Sequence, residues 1–392
     1  MTIILTVNFS PWSPYSGGGQ RSVHNLGRHL AGRGHTVHVV YTRAPFESIP
    51  IPKDLPYRLH WASLPALNSR RDLFLRPLSA NTVSRTVQRI LRQTAKPAIV
   101  HANGEEAAVL PSAGPAKRFT LVVTPRYSGY PEELAAYPSL SPAGRAGFAL
   151  KHWKYLRLRQ ALMKADRICP PSEWAAAEVR RLFPVDPDRV VAVPNGVPPE
   201  FLTFSRKAEA DSGPLLFFGR LSRDKGVDLL LKAYAELPAA TRPDLHIAGD
   251  GEEREHLTTL ASDLGITGSV QFLPWQTHRQ LGERLSQAAV CVLPSREENY
   301  SLAILSAMAV GAPVISTRTG GTPEIIKDRK TGILVEPDSK DALVAALRQA
   351  LTNPAGLARM GRQASEEVRM ARTWEQTCDK FETIYRDLMK NL

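Results

Sequence analysis

Cysteine is scarce in this 392-residue chain: Cys169, Cys291 and Cys378 are the only three, far apart and without CxxC spacing. That pattern fits neither a disulfide framework nor a zinc site, and it suggests a reducing cytoplasm. Long hydrophobic runs are also missing. The longest uncharged stretch, Ala303 to Thr317, is shorter than a bilayer-spanning helix needs and contains Gly311 and Pro313, so no transmembrane segment is expected. The opening MTIILTVNF has no basic leader and reads as a first buried strand rather than a signal peptide. No low-complexity tract occurs, and 43% apolar with 22% charged residues is ordinary for globular domains, which excludes disorder. Acidic residues are in deficit: 38 Asp plus Glu against 50 Lys plus Arg leave a net charge of +12. Nucleotides, anionic lipid surfaces and nucleic acid are the partners such a charge favours. Nucleic acid is the poorest of the three, because no recognised binding module accompanies the charge.

What is present is an alternation of β-branched apolar runs with helical patterns. TIILTVNF, a helix near Gln20 to Gly32, HTVHVVYT, PAIVHA and TLVVTP follow one another, which implies a parallel sheet covered on both faces. Residues 1–195 therefore read as one Rossmann-like α/β domain. The pattern restarts after a polar segment, Ser205 to Gly213, which is the candidate linker. LLFFGRL, LHIAGDG, VQFLPW, AVCVLPS, PVISTRTGG and GILVEP then supply strand ends of a second Rossmann-like domain over 196–373. The final segment, 374–392, has an apolar stripe at Phe381, Ile384, Tyr385 and Leu388 and is expected to pack as a helix on the first domain.

In open α/β sheets ligands bind beyond the carboxyl ends of strands, so the residues just after each strand are the functional candidates. Gly17, Gly18 and Gly19 stand between the first strand and first helix, where an anion can approach helix amides; a plain turn is the alternative. The run lacks both GxGxxG spacing and a Walker lysine, which weighs against dinucleotide and P-loop chemistry. In GRLSRDKG, Arg220 sits just beyond a strand and Lys225 begins the following helix, two cations that make a natural diphosphate clamp or else a solvated surface pair. In PSREENYS, Glu298 can accept from sugar hydroxyls while the amides of Asn299, Tyr300 and Ser301 open a helix; Ser301 as an N-cap and Tyr300 as a core aromatic are the alternatives. Gly249 and Asp250 form a tight turn able to lie near a nucleotide, or a purely structural one. In the first domain Arg126 follows a strand in VVTPRYSG, where it could meet phosphate or a carboxylate or be a plain surface arginine, and His101 and Asn103 in VHAN end another, where they could line the acceptor side or serve the structure alone.

Taken together, these segments resemble family 4 of the retaining glycosyltransferases, whose fold, called GT-B, has two Rossmann-like domains facing across a cleft. The resemblance spans nearly the whole chain and rests on Gly17 to Gly19, VPNGV at 193–197, GRLSRDKG at 219–226, AGDG at 248–251, PSREENYS at 294–301, GGTPEII at 320–326 and TGILVEP at 331–337, in that order. It implies a hexosyltransferase using a UDP- or GDP-linked sugar. Arg220 and Lys225 would meet the diphosphate, Glu298 the donor sugar, and the first domain a glycan, lipid-linked or small-molecule acceptor. It also implies work without a bound metal or cofactor, the cations and helix amides neutralising the leaving diphosphate, with front-face attack assisted by that phosphate. Two positions depart from the family pattern. Ser306 stands where a second glutamate usually holds the nucleotide ribose, and Arg126 stands where a histidine is usual. They motivate a different class of reading, a catalytically degenerate nucleotide-sugar-binding partner or regulator. Two basic stretches with interleaved apolar residues, 69–78 and 151–164 with Trp153, Tyr155 and Leu156, mark a possible peripheral contact with an anionic membrane; a helix packed on the first domain is the alternative.

Overall fold

The computed structural model describes residues 1–12, 17–43, 51–63, 76–94, 97–110, 119–125, 152 and 155–390. The chain divides into two compact units, Met1–Pro194 together with Trp374–Leu392, and Asn195–Thr373.

In the first unit β1 (Thr2–Val7), α1 (Gly18–Gly32), β2 (Thr36–Arg43), β3 (Arg58–Ser63), α2 (Arg76–Gln93), β4 (Ala98–Ala102), β5 (Phe119–Val123), α3 (155–164), β6 (Arg167–Ile168) and α4 (Glu173–Leu182) succeed one another. The six strands are parallel, in the order β3-β2-β1-β4-β5-β6. Side chains alternate across a strand, so one face of the sheet carries Ile4, Val40, Val100 and Leu121 and the other Ile3, Leu5, Val39 and Ile99. Both sets are buried, which is why these strands read as unbroken apolar runs instead of alternating ones.

The second unit repeats the plan with β7 (Leu215–Phe218), α5 (Val227–Ala235), β8 (Leu245–Ala248), α6 (Arg254–Asp263), β9 (Val270–Leu273), α7 (His278–Gln287), β10 (Val290–Leu293), α8 (Leu302–Val310), β11 (Val314–Thr317), α9 (Thr322–Ile325), β12 (Ile333–Val335), α10 (Lys340–Thr352) and α11 (Pro354–Ala371). Its parallel order is β12-β11-β10-β7-β8-β9. Both sheets reverse strand order beside their first strand, and β7 lies between β8 and β10, so the loops after these three strands are neighbours. The segment Ser205 to Gly213, expected to link the units, is instead built into the second. Arg206 donates its amide to the Val310 carbonyl at 2.8 Å, Lys207 to that of Ser286 at 2.8 Å, and Ala210 is buried.

The last helix, α12 (Trp374–Met389), belongs to the first unit, where it packs beside α1. Trp374, Cys378, Phe381, Tyr385 and Leu388 are buried along one stripe, with Ile384 partly buried beside them. The rim carries ion pairs: Arg33 donates to Asp379 at 2.6 Å and His35 bonds Glu382 at 3.0 Å. At the centre the Tyr385 hydroxyl meets His101 Nδ1 at 2.7 Å while His101 Nε2 meets the Thr124 hydroxyl at 2.8 Å. The three cysteines are unpaired and buried. Burial pushes the Cys169 and Cys378 thiols each up to about 12, and Cys291 up as well, so all three stay protonated at neutral pH.

Among the described residues no helix is long and apolar enough to cross a membrane. Of the two basic stretches, Trp153 and 69–75 lie outside the described residues. Helix α3 buries Leu158, Ala161 and Leu162, and Tyr155, expected at a lipid interface, is stacked on Phe183 at 5.2 Å. Leu156 and Met163 remain exposed, at 40% and 47%.

Tyr385→Phe removes one hydrogen bond from a buried histidine and is expected to cost about 1 kcal/mol, a fall of roughly 2–4 °C in the calorimetric midpoint of a unit this size. Phe381→Ala also opens a cavity between α12 and the sheet, and a cost of about 3–5 kcal/mol is expected. Equal midpoints for the two variants would show that α12 is not held by packing.

Candidate functional site

The candidate site is built at the carboxyl edge of the second sheet. After β7 the chain passes Gly219 and Arg220, turns through Arg223–Lys225, and starts α5 only after Gly226. Lys225 thus ends a short turn ahead of the helix instead of opening the helix itself. Gly226 has φ +67°, and a Cβ there would overlap the Pro294 carbonyl, so a glycine is required for the two loops to touch. After β8, Gly249 has φ +156° and its Cα faces the Gly219 carbonyl with no room for a Cβ. The two loops are then tied main chain to main chain: Leu221 donates to Asp250 O at 2.8 Å and Glu253 to Leu221 O at 3.0 Å.

These ties set the charged groups. Lys225 Nζ lies 3.2 Å from Asp224 Oδ2 and 3.2 Å from Glu298 Oε2, joining the loop after β7 to the loop after β10. Burial opposes the charge on Lys225, but Glu298 and Asp224 outweigh it and raise its pKa above the ordinary value. Asp224 is also desolvated, yet the Ser222 hydroxyl at 2.5 Å, Lys225 and Arg220 together hold its carboxyl below the usual range. Arg220 itself is exposed to solvent. At the site's edge, then, an ammonium and a guanidinium sit next to carboxylates, with one carboxylate, Glu298, on the facing loop.

The loop after β10 is fixed from below. Ser301 caps α8 by accepting from the Ile304 amide at 3.3 Å. The Tyr300 ring is buried and its hydroxyl accepts from Arg372 Nη1 at 3.0 Å. Ser306, 3% exposed, donates back to the Leu302 carbonyl at 2.8 Å. The side chains of Tyr300, Ser301 and Ser306 therefore have structural partners. The following turn closes the edge, with Gly321 donating to Glu298 O at 3.2 Å. Asp250 is exposed and accepts from the Gly251 amide at 2.9 Å.

In the first unit Gly18 and Gly19 form the first turn of α1, which carries no acidic residue, and Gly17 donates its amide to Gln20 Oε1 at 2.9 Å. Arg126 lies outside the described residues. His101, expected to line an acceptor surface, is 1% exposed with both ring nitrogens engaged, so it serves the packing of α12. Asn103 is buried too, its amide donating to Glu106 Oε1 at 3.0 Å. Both side chains point inward because β4 is a central strand covered on each face. Sequence reasoning missed Asp224, Asp228, Arg296 and Arg372. Each is a charged loop or helix-end residue whose partner is distant or whose role depends on a turn, and no periodicity marks such residues.

Comparison with known proteins agrees in both halves. A glycosyltransferase family 4 model matches residues 16–201 and a glycosyl transferases group 1 model matches residues 200–367. The chain is 30% identical over 252 residues to a D-inositol 3-phosphate glycosyltransferase from a Nocardioides species, a match covering 58% of this chain and 55% of the relative. A second such enzyme, from Saccharomonospora viridis, is 32% identical over 248 residues, covering 59% and 57%. The chain thus spans little more than half the length of the curated relatives it matches. Among solved structures, a sucrose-phosphate synthase from Thermosynechococcus elongatus superposes with TM-score 0.82 at 22% identity, covering 100% of both chains. HepE of Anabaena in complex with UDP-glucose superposes with TM-score 0.73 at 16% identity, covering 98% of this chain and 99% of that one. At such identities the likeness is one of fold: GT-B.

A carboxyl whose pKa is lowered by folding stabilises the folded state above its unfolded value and ceases to do so as pH falls. Asp224 has an ordinary value of 3.8. Wild type is therefore expected to lose urea resistance more steeply than Asp224→Asn on going from pH 5 to below the ordinary carboxylate range. Parallel curves for the two proteins would show that Asp224 is not held by its neighbours.

Proposed function

The chain belongs to the family 4 glycosyltransferases, and from that membership we propose that it moves a hexosyl group from a UDP- or GDP-linked sugar to a glycan, lipid-linked or small-molecule acceptor, with retention and without a bound metal or cofactor. The observation that carries this reading is the Lys225–Glu298 contact at 3.2 Å, which joins a cation and a hydroxyl acceptor on adjoining loops at the carboxyl edge of one sheet. A diphosphate arriving there meets Lys225, Arg220 and the amides of Asn299, Tyr300 and Ser301. The Lys225 ammonium then exchanges a carboxylate partner for a phosphate one, which frees Glu298 to accept from hydroxyls of the donor sugar. As the glycosidic bond lengthens, negative charge collects on the leaving diphosphate, where fixed cations and oriented amides stabilise it more than in the ground state. In the front-face route the leaving phosphate oxygen takes the acceptor's proton, so no protein nucleophile is required. The related HepE structure holds UDP-glucose, which supports a nucleotide sugar as donor. The acceptor remains the broader class, because loops that bind acceptors vary independently of fold.

The place of action in this reading is the cytoplasm, with a peripheral contact to an anionic membrane carried by exposed Leu156 and Met163 on α3. Co-sedimentation with vesicles that rises with anionic lipid content is the expected result, and indifference to that content ends the membrane part alone.

Thermal unfolding with UDP, GDP, ADP, TDP and their sugars is expected to give one selectively stabilising nucleotide, followed by transfer detected by mass spectrometry and an unchanged anomeric configuration by NMR. Lys225→Met is expected to lower kcat/KM by about 10²–10³, the effect of deleting one charge-stabilising donor. Nucleotide binding without turnover of any sugar in the panel would replace this reading with the catalytically degenerate binding partner that Ser306 and Arg126 suggest.

A further inference from the structure

Arg296 lies two residues before Glu298, and it gathers the loops that carry Glu298 and Lys225. Its guanidinium holds both oxygens of Asp228 in the first turn of α5, Nη1 to Oδ1 at 2.7 Å and Nη2 to Oδ2 at 3.0 Å. Nε donates to Asp338 Oδ1 at 2.6 Å on the loop after β12, and Nη1 also donates to the Arg223 carbonyl at 2.7 Å. The main chain of the same residue is engaged at both ends: its amide donates to Asp224 O at 2.7 Å, and its carbonyl accepts from the Thr319 hydroxyl at 3.0 Å. Six bonds to five residues along the sheet edge thus converge on one residue, and two of these bonds end on Arg223 and Asp224, immediately before Lys225.

We propose that Arg296 is a positioning residue for sugar transfer, setting the loop that carries Lys225 against the loop that carries Glu298. The proposal rests on the transferase reading above. Two features make a rigid clamp of it instead of an ordinary surface pair. The Asp228 contact is bidentate, which fixes direction as well as distance, and both side chains of that pair are only 22% exposed. The Arg223 carbonyl shares the same guanidinium nitrogen as Asp228, so a shift of α5 against the turn before it disturbs both bonds. A lysine cannot reproduce this arrangement, because one ammonium has no planar fork. Placement matters for Lys225 and Glu298 in particular, since the cation must meet phosphate while the carboxylate meets sugar on the same donor, and a displacement of about 1 Å can cost on the order of 10²-fold in rate.

The test compares wild type with Arg296→Met, Arg296→Lys and Asp228→Asn. For each, kcat and KM are measured with the sugar nucleotide that wild type turns over, and the UDP or GDP dissociation constant by calorimetry. Folded variants with kcat lowered on the order of tenfold or more, nucleotide affinity changed less than about threefold, and no rescue by lysine are the expected result. An unchanged kcat per folded molecule, or loss of thermal midpoint alone, overturns the proposal. A second measurement does not need activity: the coupling between Lys225→Met and Glu298→Gln, read from unfolding midpoints, is expected in the wild-type background and absent in Arg296→Met. Should wild type transfer no sugar at all, the transferase reading fails by itself, and this cycle decides the clamp: coupling that persists without Arg296 overturns it, and coupling that vanishes supports it.

Discussion

Main chain meets main chain at the carboxyl edge of the second sheet, and the rest of the candidate site depends on that close approach. The Gly249 Cα faces the Gly219 carbonyl, and the Gly226 Cα faces the Pro294 carbonyl, each at a separation that leaves no space for a Cβ. A side chain at either position would drive the loop after β7 away from the loop after β8 or β10. With it would move Leu221, Lys225 and Glu298, whose bonds span those loops. Gly226 and Gly249 also hold positive φ, so their identity answers to conformation and to space at once. A flexible-turn reading of such motifs misses the second requirement.

Charge at this edge is arranged in alternation. Lys225 stands between Asp224 and Glu298, and Arg296 between Asp228 and Asp338. Each of these cations has carboxylate partners, which keeps a largely buried ammonium from an uncompensated desolvation cost. The two sets differ in how tightly they are held. Lys225 and Glu298 meet through a single contact at 3.2 Å. Arg296 is held at both carboxylate oxygens of Asp228 and by the Arg223 carbonyl.

The first unit shows the contrary use of polar groups. His101 and Asn103 stand at the end of β4, where a ligand-facing role is the natural expectation, yet the ring of His101 is closed in by Tyr385 and Thr124. A buried imidazole with both nitrogens bonded fixes how α12 lies on the sheet, and the apolar stripe of Phe381, Tyr385 and Leu388 supplies the packing. The histidine is thereby a device for returning the end of the chain to the unit in which the chain began.

The sequence by itself determined what short-range pattern can encode. Apolar runs of strand length separated by helical periodicity specify two parallel α/β units. Glycine next to a strand end specifies tight turns, and GRLSRDKG with PSREENYS specifies a cation and an acid just beyond two strands. The apolar stripe at 381–388 specified a helix that must be covered. Only the tertiary structure decided which polar groups those elements leave open. Ser306 turned its hydroxyl back to Leu302, the Tyr300 hydroxyl accepted from Arg372, and His101 met a tyrosine 284 residues away. Arg296 found Asp228 across 68 residues, a pairing that no local spacing signals. The physical reason is that burial of apolar area is periodic along the chain and legible there. The partner of a single charge or hydroxyl depends on which loops the finished sheet brings side by side.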